Sequence, residues 1–400
     1  MTFEDVTRAS TKSKYFHLVL LVFVFPLAVN MEVKASEKKN QAIRNMFTEN
    51  MAVKKNERVL VFTDDYKNAI TEEAKLVTNI GASYGKVIFH QYKNTGRSGM
   101  EPPWDLWEKA FGRTIVRQIE EKKWMTKLTG KTISNDELES VKRIVRANKQ
   151  QAVQAVIGLA WFSASHTCFR ELLTDSAEAR FASMPAFDPR IWETAMSVNW
   201  QDVARKTLAL KQRLSGAVSA RVASPNETSI LLDLSGREFK ADTGLLDQPG
   251  RFGNLPGGEV YIAPVEERTH GRIVVEPGIN PYVGRRVVLE VKDGRVTDMR
   301  GDSGFLSYLE GIFHTSPLAR TVAEFGIGTN DKARIQSTIL ESEKVLGTIH
   351  FAIGDNSTMG GKISVPLHID FVIEKPTVTV SFSDGTSQEI MRDGRLLVEI

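Results

Sequence analysis

Glu57-Arg58-Val59-Leu60-Val61-Phe62 runs into Thr63-Asp64-Asp65, helical spacing follows from Ala69 to Ile80, Gly81-Ala82-Ser83-Tyr84-Gly85 breaks it, and Lys86-Val87-Ile88-Phe89 resumes an extended pattern. Two short apolar runs separated by one helical stretch read as a β-α-β unit, because neighbouring parallel strands need a crossover. The first half of the chain is therefore expected to be an α/β domain with a parallel sheet. No Gly-x-Gly-x-x-Gly follows the first strand and no Walker loop occurs, so a dinucleotide or nucleoside triphosphate has no support. Asp64 and Asp65 lie at a strand's carboxyl end, where open sheets bind ligands, but as a pair ahead of a helix they read as a cap.

Working outward, Gly99-Met100-Glu101-Pro102-Pro103-Trp104 is a rigid turn into a helical stretch from Asp105 to Glu120. A long helical region is expected from Asn135 to about Ile157, and Trp200 to Leu214 reads as another helix. Between them, Ala160-Trp161-Phe162-Ser163-Ala164-Ser165-His166 is a strand end or buried loop, with His166 read as structural rather than as a pocket residue. After Ser215 the periodicity changes to short and alternating apolar runs, among them Ala217–Ala223, Ser229–Leu234, Arg286–Val291 and Val378–Phe382. That half is expected to be mainly β, a closed or curled sheet, with tight turns at Lys292-Asp293-Gly294-Arg295 and Ser383-Asp384-Gly385-Thr386. The resulting division is an N-terminal extension over 1–35, an α/β domain over 36–225 and a β-rich (α+β) metal-binding domain over 226–400, with the site in the cleft.

Composition narrows the chemistry. The 400 residues are 42% apolar and 25% charged, an ordinary globular balance and long for one core. A net charge of +3, with 49 acids offsetting the bases, gives no basic stripe for nucleic acid. The single cysteine, Cys168, excludes an intrachain disulfide and a cysteine metal cage, which leaves histidines and carboxylates as ligands. Phe16 to Val29 is an apolar run preceded by Lys12 and Lys14, broken by Pro26 and too short to span a bilayer. It reads as a secretory signal, or else as leader ahead of a start at Met31; the expectation is a cytoplasmic protein without stable membrane association, secreted if 1–35 acts as a signal.

Histidines and carboxylates do gather. His368 and Asp370 stand two apart in Pro-Leu-His-Ile-Asp-Phe-Val-Ile, so a strand turns both to one side. His350 closes the apolar start of Thr-Ile-His-Phe-Ala-Ile-Gly-Asp-Asn. Leu255-Pro256-Gly257-Gly258-Glu259-Val260-Tyr261 presents Glu259 at a strand start beyond a glycine turn, and Glu324 sits among apolar neighbours, where an unpaired carboxylate is costly. Two glutamates, two histidines and an aspartate would satisfy a pair of divalent ions. Neither His-Glu-x-x-His nor a Gly-x-Ser-x-Gly elbow is present.

On these residues the C-terminal half resembles the aminopeptidase T/aminopeptidase S metallopeptidase family, the thermophilic aminopeptidases. The resemblance extends thinly over 40–400, including Glu101-Pro102-Pro103. It implies an N-terminal α/β domain, a β-rich domain with a dinuclear centre of zinc, cobalt or manganese, and a homodimer entered by short peptides. The family's two glutamates match Glu259 and Glu324, its final His-x-Asp matches His368 and Asp370, and its remaining histidine matches His350. A further glutamate ligand has its nearest counterpart in Glu343, seven residues before His350 and more widely spaced than in the family. The family's tyrosine is replaced by Ser357.

The leading expectation is thus a hydrolase, an aminopeptidase in which Glu259 or Glu324 relays the proton of a bridging water. The rival is a ring-cleaving dioxygenase of dihydroxypyridines, a group that resembles this family but holds one ferrous ion with two histidines and a carboxylate. There His350 or His314 would join His368 and Asp370.

Overall fold

The computed structural model describes residues 36–130, 132–336, 338–365 and 367–400; the signal-like run Phe16 to Val29 lies outside them. The β-α-β unit forms as expected, with strands Arg58–Asp64 and Lys86–Tyr92 paired in parallel across helix Asn68–Gly81. Strands Ala155–Gly158, Arg180–Ser183 and Phe252–Asn254 extend it to a five-stranded parallel sheet. Val59 and Val61 pack with Phe47, Ile70 and Trp192 on one face, while Leu60 and Phe62 pack with Trp107, Phe111 and Phe169 on the other. Burial on both faces is why this strand is an unbroken apolar run rather than an alternating one.

Two helical expectations need correction. The helix beginning at Asn135 ends at Ala147, and Ala155–Gly158 is a strand rather than its continuation. Its start is fixed by a capping box between Ser134 and Glu137, whereas beyond Asn148 the β-branched Val156 and Ile157 complete the sheet interior. The stretch from Asp105 to Glu120 divides into Trp104–Phe111 and Arg113–Glu121 at Gly112, whose φ of 81° no helix accommodates.

Glu101 of the Pro-Pro turn is buried and accepts hydrogen bonds from the backbone N–H of Cys168 (2.6 Å) and Phe169 (3.0 Å). It ties the turn to the short helix Cys168–Glu171. Glu101→Ala should therefore cost about 1–3 kcal/mol, the range for leaving buried amides unpaired. An unchanged urea midpoint would contradict this role.

The second half is β-rich. An eight-stranded and a five-stranded sheet, both antiparallel, share one apolar core containing Val222, Ile230, Leu289, Phe325, Phe351 and Phe371. Lys292 and Arg295 pair across Asp293-Gly294, whose φ values of 50° and 71° are those of a two-residue type I′ turn. No helix among the described residues is long and apolar enough to cross a membrane.

Candidate functional site

The five-stranded antiparallel sheet runs His368–Ile373, Ile349–Gly354, Val322–Gly328, Glu259–Ile262 and Lys240–Asp242 in spatial order. Side chains alternate across a sheet, and here the alternation separates two kinds of chemistry. Val260, Phe325, Ile327, Phe351, Ile353, Ile369 and Phe371 enter the core. The opposite face carries Asp242, Glu259, Tyr261, Glu324, His350, His368 and Asp370. Register sets Asp242 beside Glu259, Gly326 between Tyr261 and His350, and Ala352 between Glu324 and Asp370. Gly326 is required there, since a Cβ at that position would lie 2.1 Å from His350 Cε1 and Nε2.

Glu324 is the centre of the group. His350 Nε2 lies 3.4 Å from its Oε1, and His368 Nε2 lies 3.2 Å from its Oε2. His368 Nε2 is also 3.4 Å from Asp370 Oδ1, while His350 Nε2 is 3.3 Å from Glu259 Oε2. His368 Nδ1 hydrogen-bonds the Asp355 carbonyl oxygen at 2.8 Å, which assigns the proton to Nδ1 and turns Nε2 toward the carboxylates. Burial pushes Glu324 upward, but hydrogen bonds and charge from His350 and His368 outweigh it and hold the carboxyl below its ordinary range. Against its own burial, His350 is raised to about 9 by Glu324, Glu259 and Glu343.

The N-terminal region completes the surroundings. His166 stacks on His368 with ring centroids 5.2 Å apart and planes 28° apart, and its Nδ1 is 3.7 Å from Asp355 Oδ1. Burial and then the charge of His368 lower its pKa to about 4. Its loop is anchored at the carboxyl end of the parallel sheet by Asp64, which accepts from the Phe162 N–H at 2.9 Å. Asp65 instead accepts from Asn94, and neither aspartate caps the following helix, whose N-cap is Lys67. The pair joins loops because its carboxylates point across the sheet end rather than back at the helix amides.

The structure brings Glu259, Glu324, His350, His368 and Asp370 together. Glu343 stands behind them on Lys344 at 2.7 Å, and His314 is exposed in the last turn of helix Ser303–Thr315. Tyr261, Asp355 and Lys344 also belong to the site, although nothing in the sequence reading singled them out. Tyr261 was recoverable, since it lies two residues after Glu259 and shares its face. Its phenol is raised by burial and by the nearby Glu324, Asp242 and Glu259. Lys344 carried no periodic signal.

Two overlapping sets offer three ligand atoms within 4.8 Å of one another: Glu259, Glu324 and His350, and Glu324, His368 and Asp370. Glu259 Oε2 and His350 Nδ1 are buried without a hydrogen bond. Imidazole nitrogen with carboxylate oxygen suits a divalent first-row ion, so the residues present fit a metal centre.

A model of the NicX family, 2,5-dihydroxypyridine 5,6-dioxygenase, matches residues 117–398. The 2,5-dihydroxypyridine 5,6-dioxygenase of Pseudomonas putida is 26% identical over 187 residues, 42% of this chain and 53% of that protein, so the match spans about half the curated relative. The solved structure of a dihydroxypyridine dioxygenase from the same organism superposes with a TM-score of 0.64 at 17% identity, covering 90% of this chain and 97% of its own. AmpT from Thermus thermophilus superposes with a TM-score of 0.57 at 16% identity, covering 91% and 100%. These two likenesses establish the α/β fold with its β-rich second half, and the resemblance to aminopeptidase T holds at that level.

The expected hydrolase is overturned. The family match and the curated relative are dioxygenases, so the aminopeptidase, protease and proteolysis readings are withdrawn. The error has a physical source: one scaffold presenting nitrogen and oxygen donors serves either reaction, and the residues that suggested a peptidase report the scaffold. The matched span covers 282 of the 400 residues, counted from 117 to 398, and includes every donor named above; the chain belongs to the 2,5-dihydroxypyridine 5,6-dioxygenase family.

Proposed function

We propose that this protein is a metal-dependent dioxygenase that opens the ring of a hydroxylated, pyridine-like aromatic. The observation that carries the reading is that both donor sets lie inside the span matched by the dioxygenase family. Glu324, His368 and Asp370 would hold one ferrous ion, with His350 on the other oxygen of Glu324. This set has one imidazole and two carboxylates where many ferrous oxygenases use two imidazoles and one carboxylate, and the second imidazole here acts through Glu324. The ion, when bound, supplies the redox chemistry that lets dioxygen react with an electron-rich ring.

The chain's own residues do the rest. The Asp355 carbonyl keeps His368 in one tautomer and orientation, and Asp370 beside it adds a charge that strengthens the imidazole as a donor. Ala352, paired with Glu324 on one side and Asp370 on the other, puts only a methyl on the floor between those two donors. Tyr261 at the floor's edge supplies a neutral phenol able to donate a hydrogen bond to a ring hydroxyl or its anion. His166, stacked on His368, borders the site with its loop and stays half-buried there.

The test is anaerobic loading with ferrous ion followed by oxygen-electrode measurement with 2,5-dihydroxypyridine, the substrate of the family's name. Oxygen uptake matched to loss of the ring absorbance is expected. Stoichiometric ferrous binding with no uptake across a panel of hydroxylated pyridines would refute the reading.

A further inference from the structure

Lys344 is fully buried and is the only lysine among the largest completely enclosed side chains of the described residues. Its Nζ lies 2.6 Å from Glu259 Oε1 and 2.7 Å from Glu343 Oε1. Its carbonyl accepts the Asn330 N–H at 2.9 Å, and the Lys344–Val345 backbone presses so closely on Gly328 that a Cβ there would meet it at 2.2–2.7 Å. From this fixed backbone the side chain reaches between Glu259 and Glu343, with Asp242 paired to Glu259 on the next strand.

We propose that the Lys344 ammonium is the fixed cation of one half of this centre, so that the chain takes a single divalent ion, at Glu324, His368 and Asp370. The inference rests on reading the cluster as a metal centre. Glu259 would otherwise complete a second three-donor set with Glu324 and His350. An ammonium 2.6 Å from Glu259 Oε1 offsets that carboxylate's charge and repels a divalent ion placed on its other oxygen. Glu343 is then a partner of the lysine rather than a metal ligand. Lys344 in this account is a positioning residue, since it touches the ligand-bearing carboxylates and not the reacting atoms.

Manganese(II) titration of the metal-free full chain, followed by calorimetry and by electron paramagnetic resonance, tests the proposal without reference to turnover. The wild type should saturate at one ion per chain with an isolated-ion spectrum. Lys344→Met, which frees Glu259 and Glu343, should saturate at two with an exchange-coupled spectrum. Glu343→Gln should keep the single ion and weaken its Kd by no more than about 100-fold, the upper end for losing a partner beyond the ligands. Two ions in the wild type, one in a folded Lys344→Met, or loss of the ion in Glu343→Gln would each overturn the inference. If Lys344→Met does not fold, the wild type and Glu343→Gln decide it. No ion in the wild type would instead sink the metal centre itself, and with it the proposed reaction.

Discussion

Glu324→Ala should abolish metal uptake, lowering affinity by more than the roughly 10–100-fold typical of losing a supporting partner beyond the ligands. Glu324 alone belongs to both donor sets, with one oxygen toward each imidazole. Glu324→Gln keeps the shape and loses the charge, so it should fail almost as completely. The substitution also removes the charge that offsets burial at His350 and His368. Both imidazoles should then give up protons at lower pH than in the wild type, because Glu324 raises His350 and adds to the larger lift that Asp370 gives His368. Metal retention by calorimetry, with helix and sheet content checked by circular dichroism, is the measurement. Stoichiometric binding in Glu324→Ala would remove Glu324 from the centre.

Gly326→Ala is the second large effect. The added methyl would sit 2.1 Å from two atoms of the His350 ring, which is itself buried and cannot swing into solvent. Either the ring leaves Glu324 or two neighbouring strands separate, and overpacking of this kind costs about 1–3 kcal/mol. The expected result is a lower denaturation midpoint together with weakened metal binding. Gly311→Ala is the internal comparison, because its Cβ meets nothing within 4 Å in the helix Ser303–Thr315. That change should be neutral or stabilising by about 0.5–1 kcal/mol. Equal responses from the two glycines would show that the His350 contact is not what constrains Gly326.

Much of this architecture was legible because it depends on local pattern. The run Val59-Leu60-Val61-Phe62 with its following helix gave the parallel sheet, and alternation around His368 and Asp370 placed both on one side of a strand. Glu259 and His350 also fall in extended runs, whereas Glu324 stands out only as a carboxylate among apolar neighbours, and the convergence of the three depends on pairing across long separations. What was not legible has specific causes. Asn135 to Ile157 looked like one helix because periodicity does not register a short buried strand following closely. Phe252-Gly253-Asn254 joins the edge of the parallel sheet with no apolar alternation to announce it. His166 was read as structural, and its stacking on His368 arises from a loop and a strand distant in sequence. The reaction itself was misread because the donors carry coordination chemistry common to hydrolysis and oxygen chemistry, and only the match over 117–398 separated them.

The two faces of the five-stranded sheet have a consequence for descent. A substitution at Glu259, Tyr261, Glu324, His350, His368 or Asp370 rewrites the reactive surface without touching Phe325, Ile327, Phe351 or Phe371, the residues that hold the sheet on its partner. Selection can therefore alter the donor face without disturbing the apolar packing, whereas a one-residue insertion within one of these strands would exchange its two faces beyond that point. Lineages built on this sheet should diverge by replacement on the donor face and by length changes only in the connecting turns.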